Sequence, residues 1–322
     1  MTLPAALIRP LTLPVVASPM FLASGPELVI AQCAAGVIGS FPALNARPQS
    51  QVSEWITRIE EELADLPGAA PFALNQIVHR TNDRLDEDMQ TCIEHEVPIV
   101  ITSLGAREDV NEAIHAYGGI VLHDVINDRF ARKAIEKGAD GLIAVAAGAG
   151  GHAGSTSPFA LVSEIRAWFD GPLLLSGAIA HGRSILAAQV AGADFAYVGS
   201  AFLSTHEANV VDAYKQMIVD STSADIVYSN RFTGVHGNYL RGSIAAHGMD
   251  PDTLPPSDPS AMNLGSEAAT GPKPWKDIWG SGHGIGAVSR RQSVADLVSE
   301  LKSQYDEALG SPLRSDPQPS LA

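Results

Sequence analysis

Eight short apolar runs punctuate the chain up to Ser200, and the stretches between them place apolar and polar residues at helical spacing. The runs are Pro14-Val-Val-Ala-Ser, Gly36-Val-Ile-Gly-Ser, Pro71-Phe-Ala-Leu-Asn, Pro98-Ile-Val-Ile-Thr, Ile120-Val-Leu-His, Gly141-Leu-Ile-Ala-Val, Pro172-Leu-Leu-Leu-Ser and Phe195-Ala-Tyr-Val-Gly. They are apolar throughout rather than alternating, as parallel strands buried on both faces must be. Helices are predicted over Gln51–Leu66, Asp83–His95, Ala106–Tyr117, Arg129–Lys137, Ser163–Phe169 and Arg183–Ala191, the last capped by Gly192. Strand and helix in regular alternation predict a (β/α)8 TIM barrel; a doubly wound sheet is the competing arrangement.

After the eighth run the rhythm breaks. A helix is expected at His206–Asp220, then a segment Thr233-Gly-Val-His-Gly-Asn-Tyr239 of unassigned role, then a long loop rich in Pro, Ser and Gly over Gly248–Pro274. A last helix, Val288–Leu309, would supply the eighth outer helix. The expected organisation is therefore a barrel core over 1–205, an insertion forming a lid over the mouth at 206–284, a closing helix at 285–310, and a disordered tail at 311–322.

Composition narrows the function. The 322 residues carry a net charge of −15, from 36 acidic and 21 basic side chains, which argues against nucleic acid and anionic membranes as partners. No apolar run is long enough to span a membrane, and the N-terminal stretch lacks the basic region of a signal peptide. The two cysteines, Cys33 and Cys92, form no CxxC pair, so neither a disulfide framework nor a cysteine zinc site is expected. No metal site is evident, and a cytoplasmic setting follows from the cysteine usage.

Candidate chemistry concentrates where strands end, because a barrel builds its active site at the C-terminal ends of its strands. Polar or glycine residues there are Ser18 and Met20, Asn75, Ser103, His123 with Asp124, Ser176 with Gly177, and Gly199 with Ser200. The loop Ala146-Ala-Gly-Ala-Gly-Gly-His-Ala-Gly154 surrounds one ionisable side chain, His152, with small residues. Such a loop lets a flat ligand lie against backbone with an imidazole at its edge; a glycine-rich turn with an incidental histidine is the alternative. The segments Ser176-Gly-Ala and Gly199-Ser-Ala follow strands seven and eight, where barrels often hold phosphate on backbone N–H groups; ordinary turn glycine is the alternative.

These pieces, taken in order, resemble the FMN-dependent nitronate monooxygenases. The matching segments are Ala17-Ser-Pro-Met20, Asn75, Gly148-Ala-Gly-Gly-His-Ala-Gly154, Ser176-Gly177, Gly192-Ala-Asp-Phe-Ala-Tyr-Val-Gly-Ser200 and Trp279-Gly-Ser-Gly282. The resemblance implies FMN held by Ala17, Ser18, Pro19, Met20, Asn75, Ala149, Gly150, Gly151, Ser176, Gly177, Ala178, Gly199 and Ser200, with His152 beside the flavin as acid–base or substrate-orienting residue. It implies oxidation of alkyl nitronates by O2 to a carbonyl compound and nitrite, with neutral nitroalkanes left open as a second substrate form. The partners expected are a small-molecule substrate and O2, with homo-oligomerisation left open. An NAD(P)H-dependent flavin reductase of quinones or enoyl thioesters is one alternative. A barrel that binds FMN or a phosphorylated ligand without turnover is another. The chain departs from the family pattern at Ala178, the second position of a Gly-Gly pair; at Asp124, where several relatives have lysine; and at His283, where relatives often have glutamine. His236 and His283 are expected on the surface, and Trp275 and Trp279 in packing.

Overall fold

The computed structural model describes residues 3–8, 10–257 and 272–311. Residues 258–271 of the expected loop and 312–322 of the expected tail lie outside this range. Every one of the eight apolar runs contributes a strand to one parallel sheet. The strands are β1 (Val15–Ala17), β2 (Gly39–Pro42), β3 (Phe72–Ile77), β4 (Ile99–Ser103), β5 (Ile120–Val125) and β6 (Gly141–Val145). A two-residue strand outside the sheet, β7 (Gly151–His152), comes next, followed by β8 (Leu173–Ser176) and β9 (Phe195–Val198). They pair in the order β1-β9-β8-β6-β5-β4-β3-β2. A parallel bridge between Val16 and Ile38 joins the two ends, where the Ala17 N–H donates to Ile38 O at 2.8 Å. The sheet is thus a closed (β/α)8 barrel.

Outer helices follow the strands: α1 (Pro26–Ala34), α2 (Gln51–Ala64), α3 (Leu85–Glu94), α4 (Glu108–His115), α5 (Asp128–Glu136), α6 (Pro158–Arg166) and α7 (Gly182–Ala191). Beyond β9 come α8 (Ser200–Leu203), α9 (Asp212–Asp220), β10 (Ile226–Ser229), β11 (Gly237–Leu240), α10 (Arg241–Ala246) and α11 (Val294–Gly310). The last of these packs against both α7 and α1, the eighth place in the ring. Some boundaries differ from the sequence pattern. The helix expected from Ser163 begins at Pro158, a favoured first helical residue. The helix expected from His206 begins at Asp212, because residues 206–211 form turns and bends between α8 and α9. The second strand begins later than its apolar run, since Gly36 turns the chain with φ +82°.

Alternation along the strands sorts the barrel into two apolar zones. Val16, Ile38, Ala73, Ile99, Ile101, Leu122, Ile143, Leu174 and Phe195 fill the lumen, and Leu7 packs with them. The intervening residues, such as Leu74, Val100, Val121, Leu142 and Leu175, pack outward against the helices.

The tightest helix seam yields a test. A Cβ on Gly182, the first residue of α7, would sit 2.3 Å from Leu301 O and Tyr305 N in α11. Gly182→Ala is expected to destabilise the protein by about 1–3 kcal/mol through overpacking, lowering the thermal midpoint by several degrees. Gly310→Ala, which meets nothing within 4 Å, should leave it unchanged. An unaltered midpoint for Gly182→Ala would show that this seam has slack.

Candidate active site

Parity places a polar layer on top of the apolar lumen. Two residues beyond Val16, Ala73, Ile101, Leu122, Leu174 and Phe195 on the same face come Ser18, Asn75, Ser103, Asp124, Ser176 and Tyr197. All six line one cavity of about 640 Å³ at the C-terminal end of the barrel, within the range of small-molecule sites. Asn75 Nδ2 donates to Ser103 Oγ at 2.8 Å and to Ile101 O at 3.1 Å. Burial raises the Asp124 carboxyl to about 6, with hydrogen bonds from Ser103 and the Leu104 backbone opposing the rise. Burial, then the nearby Asp124 carboxylate, pushes the Tyr197 phenol well above its ordinary value, and the Ser18 hydroxyl opposes this. His123 falls on the other face of β5: its Nδ1 lies 2.6 Å from Thr102 Oγ1, and burial lowers it to about 4.

The glycine-rich loop after β6 forms the wall above this floor, and the segment after α9 clamps it. β11 pairs antiparallel with both β10 and β7, setting Gly237 opposite His152 and Asn238 opposite Gly151. Asn238 Nδ2 donates to Ala149 O at 2.6 Å, and Tyr228 OH donates to Ala153 O at 2.9 Å. His152 Nε2 lies 2.9 Å from Thr233 Oγ1, whose hydroxyl donates to Val235 O at 3.0 Å. With its one hydrogen committed, the Thr233 oxygen accepts from Nε2–H, which leaves Nδ1 as the unprotonated nitrogen. Trp275 meets the imidazole edge-on, with ring centroids 5.4 Å apart. Burial lowers the His152 imidazole to about 4, so the ring is neutral at physiological pH.

The loops after β8 and β9 bring backbone donors to the same cavity. Among the described residues, the N–H groups of Gly177, Gly199 and Ser200 have no acceptor. The Ala178 N–H already donates to Gly148 O at 3.1 Å. Ala178 also holds φ at +55°, where a Cβ costs roughly 1 kcal/mol. The Ser200 hydroxyl accepts from Gly282 N–H at 2.8 Å.

Of the residues singled out from the sequence, Ser18, Pro19, Met20, Asn75, Ala149, Gly150, Gly151, His152, Ser176, Gly177, Ala178, Gly199 and Ser200 all line the cavity. Ala17 does not; it points outward and is fully buried in the core. His236 and His283 are exposed. Trp279 stacks on Tyr214 with centroids 4.8 Å apart, whereas Trp275 borders the cavity. The roles of Thr233, Asn238 and Tyr197 escaped the sequence reading. Only Tyr197 carried a signal, its place two residues after Phe195 on one strand face.

The comparisons agree with this architecture. The nitronate monooxygenase family profile matches residues 39–304, so the chain belongs to that family. It is an oxidoreductase of the nitronate monooxygenase type, and membership implies a flavin cofactor. The nitronate monooxygenase of Paraburkholderia phytofirmans is 23% identical over 92% of this chain and 93% of its own length. A Mycobacterium tuberculosis protein named only as a monooxygenase is 27% identical over 69% of this chain, and the match spans 63% of that protein, under two thirds. Among solved structures, nitroalkane oxidase from Streptomyces ansochromogenes superposes with TM-score 0.78 at 23% identity, covering 92% of this chain and 97% of that one. FabK from Thermotoga maritima superposes with TM-score 0.76 at 22% identity, covering 93% and 94%. At these identities the structures share the fold. Among the described residues, no helix is long and apolar enough to cross a membrane, and no cluster of metal-binding side chains occurs.

Asp124 gives the site a pH signature. Its carboxyl keeps a proton in the folded state up to about pH 6, whereas in the unfolded chain it ionises near 4. Folding stability from this group is therefore full below about pH 4 and is lost as pH rises through 6. Asp124→Asn is expected to stabilise the protein at pH 8 by up to about 2 kcal/mol and to change little at pH 4. Thermal unfolding across that range checks it; an equal effect at both ends would exclude the buried carboxyl as the cause.

Proposed function

We propose that this protein is an FMN-dependent enzyme that oxidises alkyl nitronates with O2 to a carbonyl compound and nitrite. The observation that supports it most is convergence: one cavity receives the neutral imidazole of His152 and three backbone N–H groups without acceptors. The free donors fit a phosphate monoester, which backbone amides bind without a lysine. The polar layer of Ser18, Asn75, Ser103 and Ser176 fits a ring system bearing carbonyl and N–H edges. When bound, FMN supplies the electron acceptor that O2 reoxidises.

The chain's own residues bind, orient and exclude water. Gly177, Gly199 and Ser200 would hold the phosphate through their N–H groups. Thr233 keeps the His152 tautomer with Nδ1 as the acceptor. At physiological pH that nitrogen is ready to take a proton, but an imidazole lowered to about 4 is a weak base. A substrate that arrives as the nitronate has already lost its α-proton and does not need a stronger one. This match between base strength and substrate favours nitronate over neutral nitroalkane. Trp275 and the segment 233–239 shield the imidazole from bulk water.

His152→Ala is expected to lose roughly 10²- to 10⁴-fold in rate with a neutral nitroalkane, to lose less with preformed nitronate, and to retain flavin. Steady-state rates on the two substrate forms check this. Near-wild-type turnover of both would reduce the histidine to a structural role, and equal large losses would replace the base role with orientation.

Gly199 tests the cofactor loop. A Cβ there would lie 3.4 Å from the Ser18 Cβ and 3.7 Å from the Met20 sulfur, so valine would intrude while the barrel stays folded. Gly199→Val should purify without flavin absorbance yet keep its circular dichroism. Full flavin content would refute the assignment, and chromatography of the cofactor released from wild type distinguishes FMN from FAD.

A further inference from the structure

The cavity does not end at its polar floor. β4 and β5 pair with Thr102 beside His123, which sets Ser103 level with Asp124. The residues that follow on each strand, Leu104-Gly-Ala106 after β4 and Val125-Ile126 after β5, line the cavity. The second stretch continues onto α5 through Phe130 and then Lys133, three residues apart and so neighbours on one helix face. This part of the lining belongs to β4 and β5, on the half of the rim away from β8 and β9, where the free phosphate donors lie.

Three features of this part of the lining call for an occupant. Ile126 and Phe130 leave 39% and 44% of their surfaces exposed beside an open cavity, although neither has a place in the core. Lys133 ends the apolar strip as a cation with no ion pair among the described residues, while its neighbours Arg132 and Lys137 are paired with Asp128 and Glu108. At the inner end stands the Asp124 carboxyl, so a second carboxylate is favoured at the Lys133 end and disfavoured on the floor.

We propose that the substrate is an amphiphile. Its reacting head lies over the floor, its alkyl chain runs between Leu104–Ala106 and Ile126–Phe130, and an anionic terminus meets Lys133. The identity of the head rests on the nitronate reading; the chain and the terminus rest on the channel alone. The substrate class is thus a medium-chain alkyl compound with a terminal carboxylate or comparable anion, rather than a small nitroalkane.

Binding without turnover separates the two readings. Calorimetric titration of the flavin-loaded protein with butanoate, hexanoate, octanoate and octanamide should show affinity rising with chain length. A buried methylene is worth up to about fourfold in affinity, and the half-open channel should give at least about tenfold from butanoate to octanoate. Octanoate should exceed octanamide severalfold. Phe130→Ser should flatten the chain-length ladder, and Lys133→Gln should abolish the preference for octanoate over octanamide. Affinity independent of chain length would overturn the proposal, as would an undiminished carboxylate preference in Lys133→Gln. A protein that turns over ethyl nitronate but shows no ladder refutes the channel and keeps the proposed reaction. A ladder in a protein that turns over no nitronate, short or ω-carboxylated, keeps the channel and refutes the reaction.

Discussion

The carbonyl of Gly148 is the point on which the site depends. It accepts the N–H of Ala178 at 3.1 Å and the N–H of His283 at 2.9 Å. One oxygen with two lone pairs thereby ties together the loop after β6, the loop after β8 and the segment leading to α11. These segments come from distant parts of the chain, and beyond the two residues of β7 and one short 3-10 turn at His283–Ala287 they have little regular structure to fix them. Gly148 has φ +86°, and a Cβ there would meet the Ala178 and His283 Cβ atoms at 3.3 and 3.4 Å. Glycine is therefore required both by conformation and by space. The same contact offsets part of the cost of the left-handed backbone at Ala178, whose φ is +55°.

The second constraint is the change of lumen chemistry at a single layer. Below it, branched aliphatic side chains fill the barrel and hold the strands rigid; above it stand Ser18, Asn75, Ser103, Asp124, Ser176 and Tyr197. A polar group in that position is half desolvated, which makes each hydrogen bond more consequential and each ionisation harder. Asp124 shows the consequence most clearly. Burial raises its carboxyl to about 6, so ionisation on the floor is harder than in water. The ionisable carboxyl of the floor is thus negative when it charges, and Lys133, without an ion pair among the described residues, stands at the rim.

His152 shows how a site residue is defined from outside its own loop. Its tautomer is set by Thr233, its strand pairing by Gly237, and its ring contact by Trp275. The segment 206–284 was expected to lie over the mouth as a lid; we propose that its main role is as a clamp that fixes the orientation of the imidazole.

The barrel was legible in the sequence because parallel strands buried on both faces are apolar along most of their length, polar residues gathering toward their C-terminal ends. Eight such runs leave few other folds. The place of the glycine-rich loop at the cavity was legible because it follows the sixth apolar run, and a barrel gathers the loops after its strands at one mouth. Strand parity was available too: alternation from Leu122 puts Asp124 on the floor and His123 on the opposite face of β5, although both border the cavity. The three-stranded clamp was not legible. β7 is two residues long, and β10 and β11 join mixed residues such as Tyr228, Gly237 and Asn238 that carry no periodic signal. Nor could the chain alone show that the Ala178 N–H is occupied, that Ala17 faces the core, or that Leu104 and Phe130 face one channel. Each of these depends on which distant segment lies alongside. Local pattern specifies how a segment buries its own apolar surface; tertiary packing specifies which polar groups are left without partners, and those are the groups available for chemistry.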